Sequence, residues 1–360
     1  MHVAIVGAGI VGLSTAWELQ QRGHTVQVFD PAPVSEASFA AAGMLAPVSE
    51  VVWDQPTLYP LMAQSKQLYP ALVASVTEAS GMDVGYLTSE TLVCAGDAAD
   101  RVTLSELVEL QSEIGAVERL TATQARRMEP ALGPGVLGAV HIPGDHQIDP
   151  RKFCAALLHL LGDCVVREEV VRVDTQVRTS TSSYAADHIV VAAGLHTADI
   201  AGLPALPLRP VYGDVLRLNV PAHLQPLISR TVRAVVRGRP VYLVPRSDGT
   251  VVLGATSRED GPGVSAEGVH QLLRDAHHIL PSLWECTIAE MTARARPGSP
   301  DDVPMIGRIA TNTTVSTGYF RHGILLAAIG AKLTADIVLG VQIPAETAAA
   351  INPFRFEEKR

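Results

Sequence analysis

Gly7, Gly9 and Gly12 stand at the spacing that lets a chain grip a dinucleotide, with the apolar run HVAIV before them and Asp30 closing the next apolar run. Gly7 permits the tight turn out of a strand. Gly9 lets the backbone reach a pyrophosphate, and Gly12 lets the following helix pack on the sheet. A helix beginning near Ile10 and Val11 aims unpaired N–H groups and its positive dipole end at phosphates. Asp30, with Pro31 after it, is placed to accept from a ribose hydroxyl. Each position does a different steric or electrostatic task, so the strand, turn, helix, strand and acid read as one unit.

Other residue types exclude other chemistry. A net charge of −9 with no Lys/Arg run offers no footprint for nucleic acid, so no nucleic-acid partner is expected. Lysine is scarce, at Lys66, Lys152, Lys332 and Lys359 alone, which leaves arginine to carry most cationic binding. Cys94, Cys154, Cys164 and Cys286 are scattered without CxxC spacing and read as reduced and mostly buried, which suits a cytoplasmic protein. His141 and His146 lie in a glycine-proline region without a third ligand, so they read as surface histidines and no metal site is expected.

The elements that must position these groups follow from periodicity and punctuation. With 360 residues and 47% hydrophobic content the chain can bury a large core, and two lobes are expected. No segment reaches the roughly 20 apolar residues of a membrane span, so a soluble protein without a membrane partner is expected. Residues 35–47 are small and bland, suited to running beneath a flat ring. Residues 56–80 and 265–279 carry helical apolar spacing. Residues 165–194 read as strand, polar turn and a β-rich run ending at Ala193 and Gly194, which returns the chain to the cofactor sheet. Residues 209–256 read as strands of a second, antiparallel sheet with a hairpin at Ser-Asp-Gly. Residues 288–308 read as a return broken by proline and glycine, and the chain from Thr317 as a turn feeding an apolar helix that ends at Gly340.

A nicotinamide enzyme would place its substrate part after one contiguous six-strand unit. Here the second Ala-Gly strand end comes only at 193–194, a layout that suits a flavin. GAGIVG at the N-terminus, AAAGMLAP at 40–47, IVVAAG at 189–194, VYLVPR at 241–246, RPGSPDDVPMIG at 296–307 and GYFRHGILLA at 318–327 resemble the FAD-dependent D-amino-acid oxidase superfamily, and within it the glycine oxidases of the thiamin-pathway (ThiO) type. The resemblance runs over nearly the whole chain. It implies an α/β fold: a Rossmann-like FAD-binding domain of the GR2 type from residues 1–85, 146–210 and 297–360, and a discontinuous α+β substrate domain on an antiparallel sheet from 86–145 and 211–296. It also implies a homo-oligomer, and noncovalent FAD. The absence of cysteine from residues 296–340, where related enzymes attach the flavin, points to a noncovalent flavin as well.

The resemblance assigns roles residue by residue. Arg296 matches the family's carboxylate-binding arginine, whose planar fork suits two oxygens. Tyr242 matches a tyrosine that reaches the same carboxylate. Arg321 matches a second arginine at the start of the last helix, near both flavin and substrate. Ala37 and Ser38 fall near the phosphates, and Ala42, Gly43 and Met44 beneath the flavin. Val170 falls at the adenine end, and Tyr319, Phe320, Arg321, His322, Gly323, Ile324 and Leu325 beside the isoalloxazine. Met44 and Val170 also fit plain packing positions, and His196 and His322 fit packing or flavin-side contacts better than bases.

The chain departs from the pattern at Thr292–Ala295, where tryptophan and glycine are common, at Tyr212, where relatives carry a basic residue, and at Tyr319, where histidine is common. The first of these leaves substrate preference open among glycine, sarcosine, D-alanine, D-proline and bulkier amines. The expected reaction is oxidative deamination of a small amine or D-amino acid with O2 as acceptor and H2O2 as product, with thiazole synthase as an acceptor of the imine. A dehydrogenase passing electrons to a quinone or carrier and a non-catalytic flavin-binding subunit are the other readings at this level.

Overall fold

The computed structural model describes residues 1–53 and 55–357. Asp54 and residues 358–360, with Lys359 and the end of the segment 297–360, lie outside the described residues.

The first apolar run forms the strand His2–Val6, followed by the helix Ile10–Gln21 and the strand Thr25–Phe29. That order requires a right-handed crossover, and it makes His2–Val6 an inner strand with parallel neighbours on both sides, Thr25–Phe29 and His188–Val191. The six-stranded sheet runs Met305–Ala310, Thr313–Thr317, His188–Val191, His2–Val6, Thr25–Phe29, Val165–Val166, and only its first pair is antiparallel. Its inner strands are buried on both faces, as parallel sheets demand: Val3, Ile5 and Val190 pack with the helices on one side, Ala4, Ile189 and Val191 with a three-stranded meander, residues 170–185, on the other. The helix Tyr59–Ser80 covers the first side, three residues shorter at its start than the run beginning at Pro56 would allow.

A second sheet of eight strands runs Thr287–Gly298, Arg209–Asn219, Val251–Gly254, Arg239–Pro245, Thr231–Val236, Thr91–Ala95, Gly138–Ile142, Glu118–Thr121. The strands within residues 209–256 pair antiparallel, as expected, and the sheet as a whole is mixed only because Thr231–Val236 and Thr91–Ala95 pair in parallel where two distant segments of the chain meet. The helix Ala266–Ile279 buries Leu272, Ala276 and Ile279 against this sheet, within the residues expected to form it.

The expected broken return at 288–308 is instead a twelve-residue strand, Thr287–Gly298, carrying Arg294 and Arg296 inside it. Proline is tolerated there because the strand is at the sheet edge, and Pro297 faces Pro210 where neither needs the other's donor. The bland segment 35–47 also yields a single helical turn, Ala37–Ala40. His141 and His146 are half-buried, not on the surface. His141 lies in the strand Gly138–Ile142 with Glu90 3.0 Å away, and His146 packs edge-on to Tyr86 at 5.9 Å.

The two sheets are joined through the short segment 35–44. Arg294 donates to the Ser35 carbonyl at 2.9 Å, Arg217 and Arg151 to that of Phe39 at 3.3 and 2.9 Å, and Arg246 to that of Ala42 at 2.6 Å. Arg151 also forks onto Glu290 at 2.6 and 2.9 Å, tying the helix Pro150–Leu161 to the edge strand. The Arg151 bond holds the Glu290 carboxyl down to about 2 from an ordinary 4.5. A carboxyl lowered on folding stabilises the fold above its ordinary value and loses that contribution as pH falls toward its folded one. Glu290→Gln should therefore cost about 1 kcal/mol at neutral pH and flatten the loss of stability between about pH 4.5 and pH 2. Denaturant midpoints across that range check this; parallel acid limbs for both proteins would remove the bridge from the stability of the fold.

Candidate active site

Between the two sheets lies a cavity of about 620 Å3. One end is the glycine turn. Gly7 has φ +106°, and a Cβ there would lie 2.4 Å from the Ala192 carbonyl oxygen; a Cβ on Gly12 would lie 1.9 Å from that of Gly7. Gly12 accordingly packs the helix on the turn and does not line the cavity, whereas Gly7, Gly9, Ile10 and Val11 do. The helix behind them has Gly9 at its N-cap with no side-chain cap and no acid in its first turn, which leaves its positive end to an anion. Ser38 caps the Ile10 N–H at 3.0 Å.

Asp30 is engaged differently from the expectation. Its carboxylate accepts from the backbone N–H of Ala8 and of Ala32, at 2.7 and 2.8 Å, so it shapes the glycine turn as well as lining the cavity. The remaining lone pairs are free for a hydroxyl. Pro31, Ala37, Ala42, Gly43, Met44, Val170, Ala193 and Gly194 line the cavity too, and so do all residues from Tyr319 to Leu325. His196 lines it from an exposed position beside Asp199.

The last helix starts later than expected. It spans Ala327–Leu339, and Arg321 lies in a separate tight turn, Phe320–His322, after a left-handed backbone at Gly318 and at Phe320, φ +75° and +47°. Those two residues turn the chain sharply out of the strand, so helical hydrogen bonding cannot continue from it. Tyr319 is buried over Gly330, where a Cβ would lie 2.3 Å from its hydroxyl, and shares a hydrogen bond with Ser316 at 2.8 Å. Burial holds that phenol well above its ordinary value. His322 is also buried, its imidazole pushed down to about 3 by burial and by Arg321 and Arg233, which keeps it neutral.

The other end of the cavity is the face of the eight-stranded sheet. Alternation along Thr287–Gly298 sets Arg294 and Arg296 on the same face, opposite Gly213 and Val211. The register also sets Tyr242 beside Arg233 on one side and Gly254 on the other. Two glycines make room for the two side chains matched to carboxylate binding: a Cβ on Gly213 would lie 2.2 Å from the Arg296 guanidinium, and one on Gly254 2.5 Å from the Tyr242 hydroxyl. Arg296 donates to the carbonyls of Thr256 and Tyr212, at 3.2 and 3.5 Å, and so has donors left over. Burial raises the Tyr242 phenol while four nearby arginines, Arg296 first, pull it back. It stays protonated and can donate. Arg321 stacks on the Phe320 ring at 4.7 Å and is exposed to the cavity.

Sequence reading missed Glu50, Arg233, Gly213, Gly254 and Thr256, all on or beneath this face. A signal existed for the glycines, since glycine inside a strand often marks a close approach. None existed for Glu50 and Arg233, which only the fold brings together. None of the four cysteines lines the cavity. Its apolar lining at Ala40–Ala42 and the helix end without an acid in its first turn fit a flat ring system joined to phosphates.

Residues 2–337 match the family described as FAD dependent oxidoreductase (DAO). A glycine oxidase of Geobacillus kaustophilus (strain HTA426) is 34% identical over 373 residues, covering 98% of this chain and 95% of the relative. A bifunctional protein ThiO/ThiG of Trichormus variabilis is 32% identical over 94% of this chain, which spans only 52% of that protein. The crystal structure of glycine oxidase from Geobacillus kaustophilus superimposes with a TM-score of 0.90 over 99% of each chain, at 31% identity. That of iminodiacetate oxidase from Chelativorans sp. BNC1 superimposes with 0.85 over 95% of this chain and 97% of the other, at 28% identity. With the family match over residues 2–337 and a relative 34% identical over nearly the whole of both chains, the chain belongs to the DAO family of FAD-dependent oxidoreductases and is an FAD-dependent amine oxidoreductase.

Proposed function

We propose that this chain oxidises glycine or a similarly small amine to the imine, and that the cationic wall binds the substrate carboxylate. The observation that carries this reading is the pair Arg296 and Tyr242, each seated over a glycine and each with donors to spare at one end of the cofactor cavity. Arg296 supplies a planar fork to both oxygens, and the protonated Tyr242 hydroxyl donates to one of them. Held at that end, the substrate keeps its α-carbon against the segments Ala42–Met44 and Tyr319–Leu325, which are the walls nearest a bound ring. Arg321 adds positive charge where negative charge develops.

FAD, held by the glycine turn and by the segments Ala42–Met44 and Tyr319–Leu325, would supply the two-electron acceptor for oxidation at the α-carbon, with O2 as the final acceptor and H2O2 as product. The residues themselves bind, orient and exclude water, and no side chain is required as a base. The names of the glycine oxidase and ThiO relatives support the small-amine class, and the fusion of ThiO with ThiG in one relative supports delivery of the imine to thiazole synthase in thiamin synthesis. Four free cysteines support a cytoplasmic location, and the family resemblance a homo-oligomer.

Anaerobic mixing of the yellow holoprotein with glycine should bleach the flavin, and admission of air should restore it with formation of H2O2. Bleaching without recovery in air would move the acceptor to a quinone or carrier, and no bleaching with glycine, sarcosine, D-alanine or D-proline would defeat the small-amine reading. Arg296→Ala should keep its FAD and lose about a hundredfold or more in kcat/KM, roughly 2 to 4 kcal/mol. Gly213→Ala, which crowds the same guanidinium without removing it, should raise KM about tenfold. Steady-state kinetics at constant FAD content check both, and near-normal values would take Arg296 out of the carboxylate role.

A further inference from the structure

Carboxylate binding by Arg296 and Tyr242 leaves an ion pair in the same chamber without a task. Arg233 stands next to Tyr242 in the sheet, and its guanidinium pairs with the Glu50 carboxylate; both residues line the cavity. They are mostly buried, with 17% and 11% of their side chains exposed. Arg233 also lies 3.8 Å from the Met44 sulfur, which puts the pair beside the segment beneath the ring.

Glu50 is held there by its backbone. The wholly buried Asp145 carboxylate accepts from the N–H groups of Val48 and Ser49 at 3.3 and 3.1 Å, and so fixes the turn that presents the next residue. The two amide bonds offset part of the cost of burying that acid and hold the backbone just before Glu50 in one conformation.

The charges at this end are unbalanced for an amino acid unless Glu50 takes part. Arg233, Arg296 and Arg321 are the guanidiniums there, Arg294 being turned to the Ser35 carbonyl, and among the described residues Glu50 is the only carboxylate lining the cavity beside them, Asp214 and Asp302 acting on Arg296 and Arg321 from outside the lining. The other acids lining the cavity, Asp30, Glu36, Glu169 and Asp199, belong to the glycine-turn and nucleotide segments. An amino acid brings a carboxylate, which the arginines favour, and an amino group, which they repel if it is charged and cannot serve as acceptors if it is not. A carboxylate has about four lone-pair positions, and pairing with one guanidinium leaves some unused.

We propose that Glu50 accepts the substrate's amino group and that Arg233 is its positioning residue, so the chamber reads both ends of a small α-amino acid. This rests on the small-amine reading above. It makes the amine itself a recognition element, and it selects against carboxylic acids of the same size that lack one. A bulky apolar substituent would have to desolvate the pair to enter.

The test uses the holoenzyme, with FAD content measured first. Rapid-reaction reduction by glycine, or by sarcosine if that reduces the wild type faster, gives a Kd for a ligand with an amine; the flavin absorbance shift on titration with acetate gives one without. Glu50→Gln should weaken amine binding about tenfold or more and leave acetate binding unchanged or tighter, since Arg233 has lost its counter-charge. Because an unpaired arginine could disturb the fold, Glu50→Leu with Arg233→Met removes both charges; it should keep the amine defect while acetate stays within about threefold of the wild type. Unchanged amine binding in Glu50→Gln, or equal weakening of amine and acetate in both variants, would overturn the assignment. A wild type that no small amine reduces would instead overturn the parent reading, and this one with it.

Discussion

The structure depends on guanidinium groups reaching from the eight-stranded sheet and from the helix Pro150–Leu161 to the carbonyls of a short segment beside the other sheet. A stretch as bland as 35–44 has few side chains able to lock it in place, Ser38 on the Ile10 N–H and Phe39 under Arg151 among them, and its backbone polar groups cannot be left buried without partners. Arg294, Arg217, Arg151 and Arg246 satisfy Ser35, Phe39 and Ala42, and each charged bond of this kind contributes about 1.5 to 3 kcal/mol against leaving the carbonyl bare. Arginine suits this better than lysine because one head group can serve several acceptors in a plane: Arg246 bonds Gln147 and the Ile148 carbonyl in addition to Ala42. The scarcity of lysine in the chain fits that demand.

The same sheet face that supplies the grip supplies the binding wall. Alternation makes Arg294 and Arg296 neighbours on one face, the first turned to the Ser35 carbonyl and the second into the chamber. Crowding cations in a partly dry space has a cost, visible in Arg233, which burial and Arg321 push down to about 10. It remains cationic at neutral pH, and the field it helps to create favours anionic ligands.

How much could be read from the sequence depended on distance along the chain. The strand, glycine turn, helix and Asp30 lie within thirty residues and follow local rules, so they were legible from spacing alone. Arg296 and Tyr242 were legible as residues through resemblance, but their setting was not: TARARPG alternates with period two, a strand signal, and the Pro-Gly at its end outweighed it. An edge strand tolerates that proline, and nothing in the sequence says which strand is at an edge. The pairing of Glu50 with Arg233 was beyond reach because the two come from segments whose meeting depends on both sheets. The late start of the last helix was hidden by an apolar run that continues unbroken through a turn.

The order of strands in the six-stranded sheet bears on synthesis. Its central strand, His2–Val6, leaves the ribosome at once, but one of its two parallel neighbours lies at His188–Val191, and the cavity is closed only by residues 319–325. Until residue 191 has emerged the glycine turn has an exposed strand edge, and until residues 319–325 follow the cavity lacks a wall and the contacts that hold a cofactor are incomplete. Loading is therefore a late event in the life of each molecule, and the nascent chain must cross the first half of that interval with the edge of a core strand unpaired.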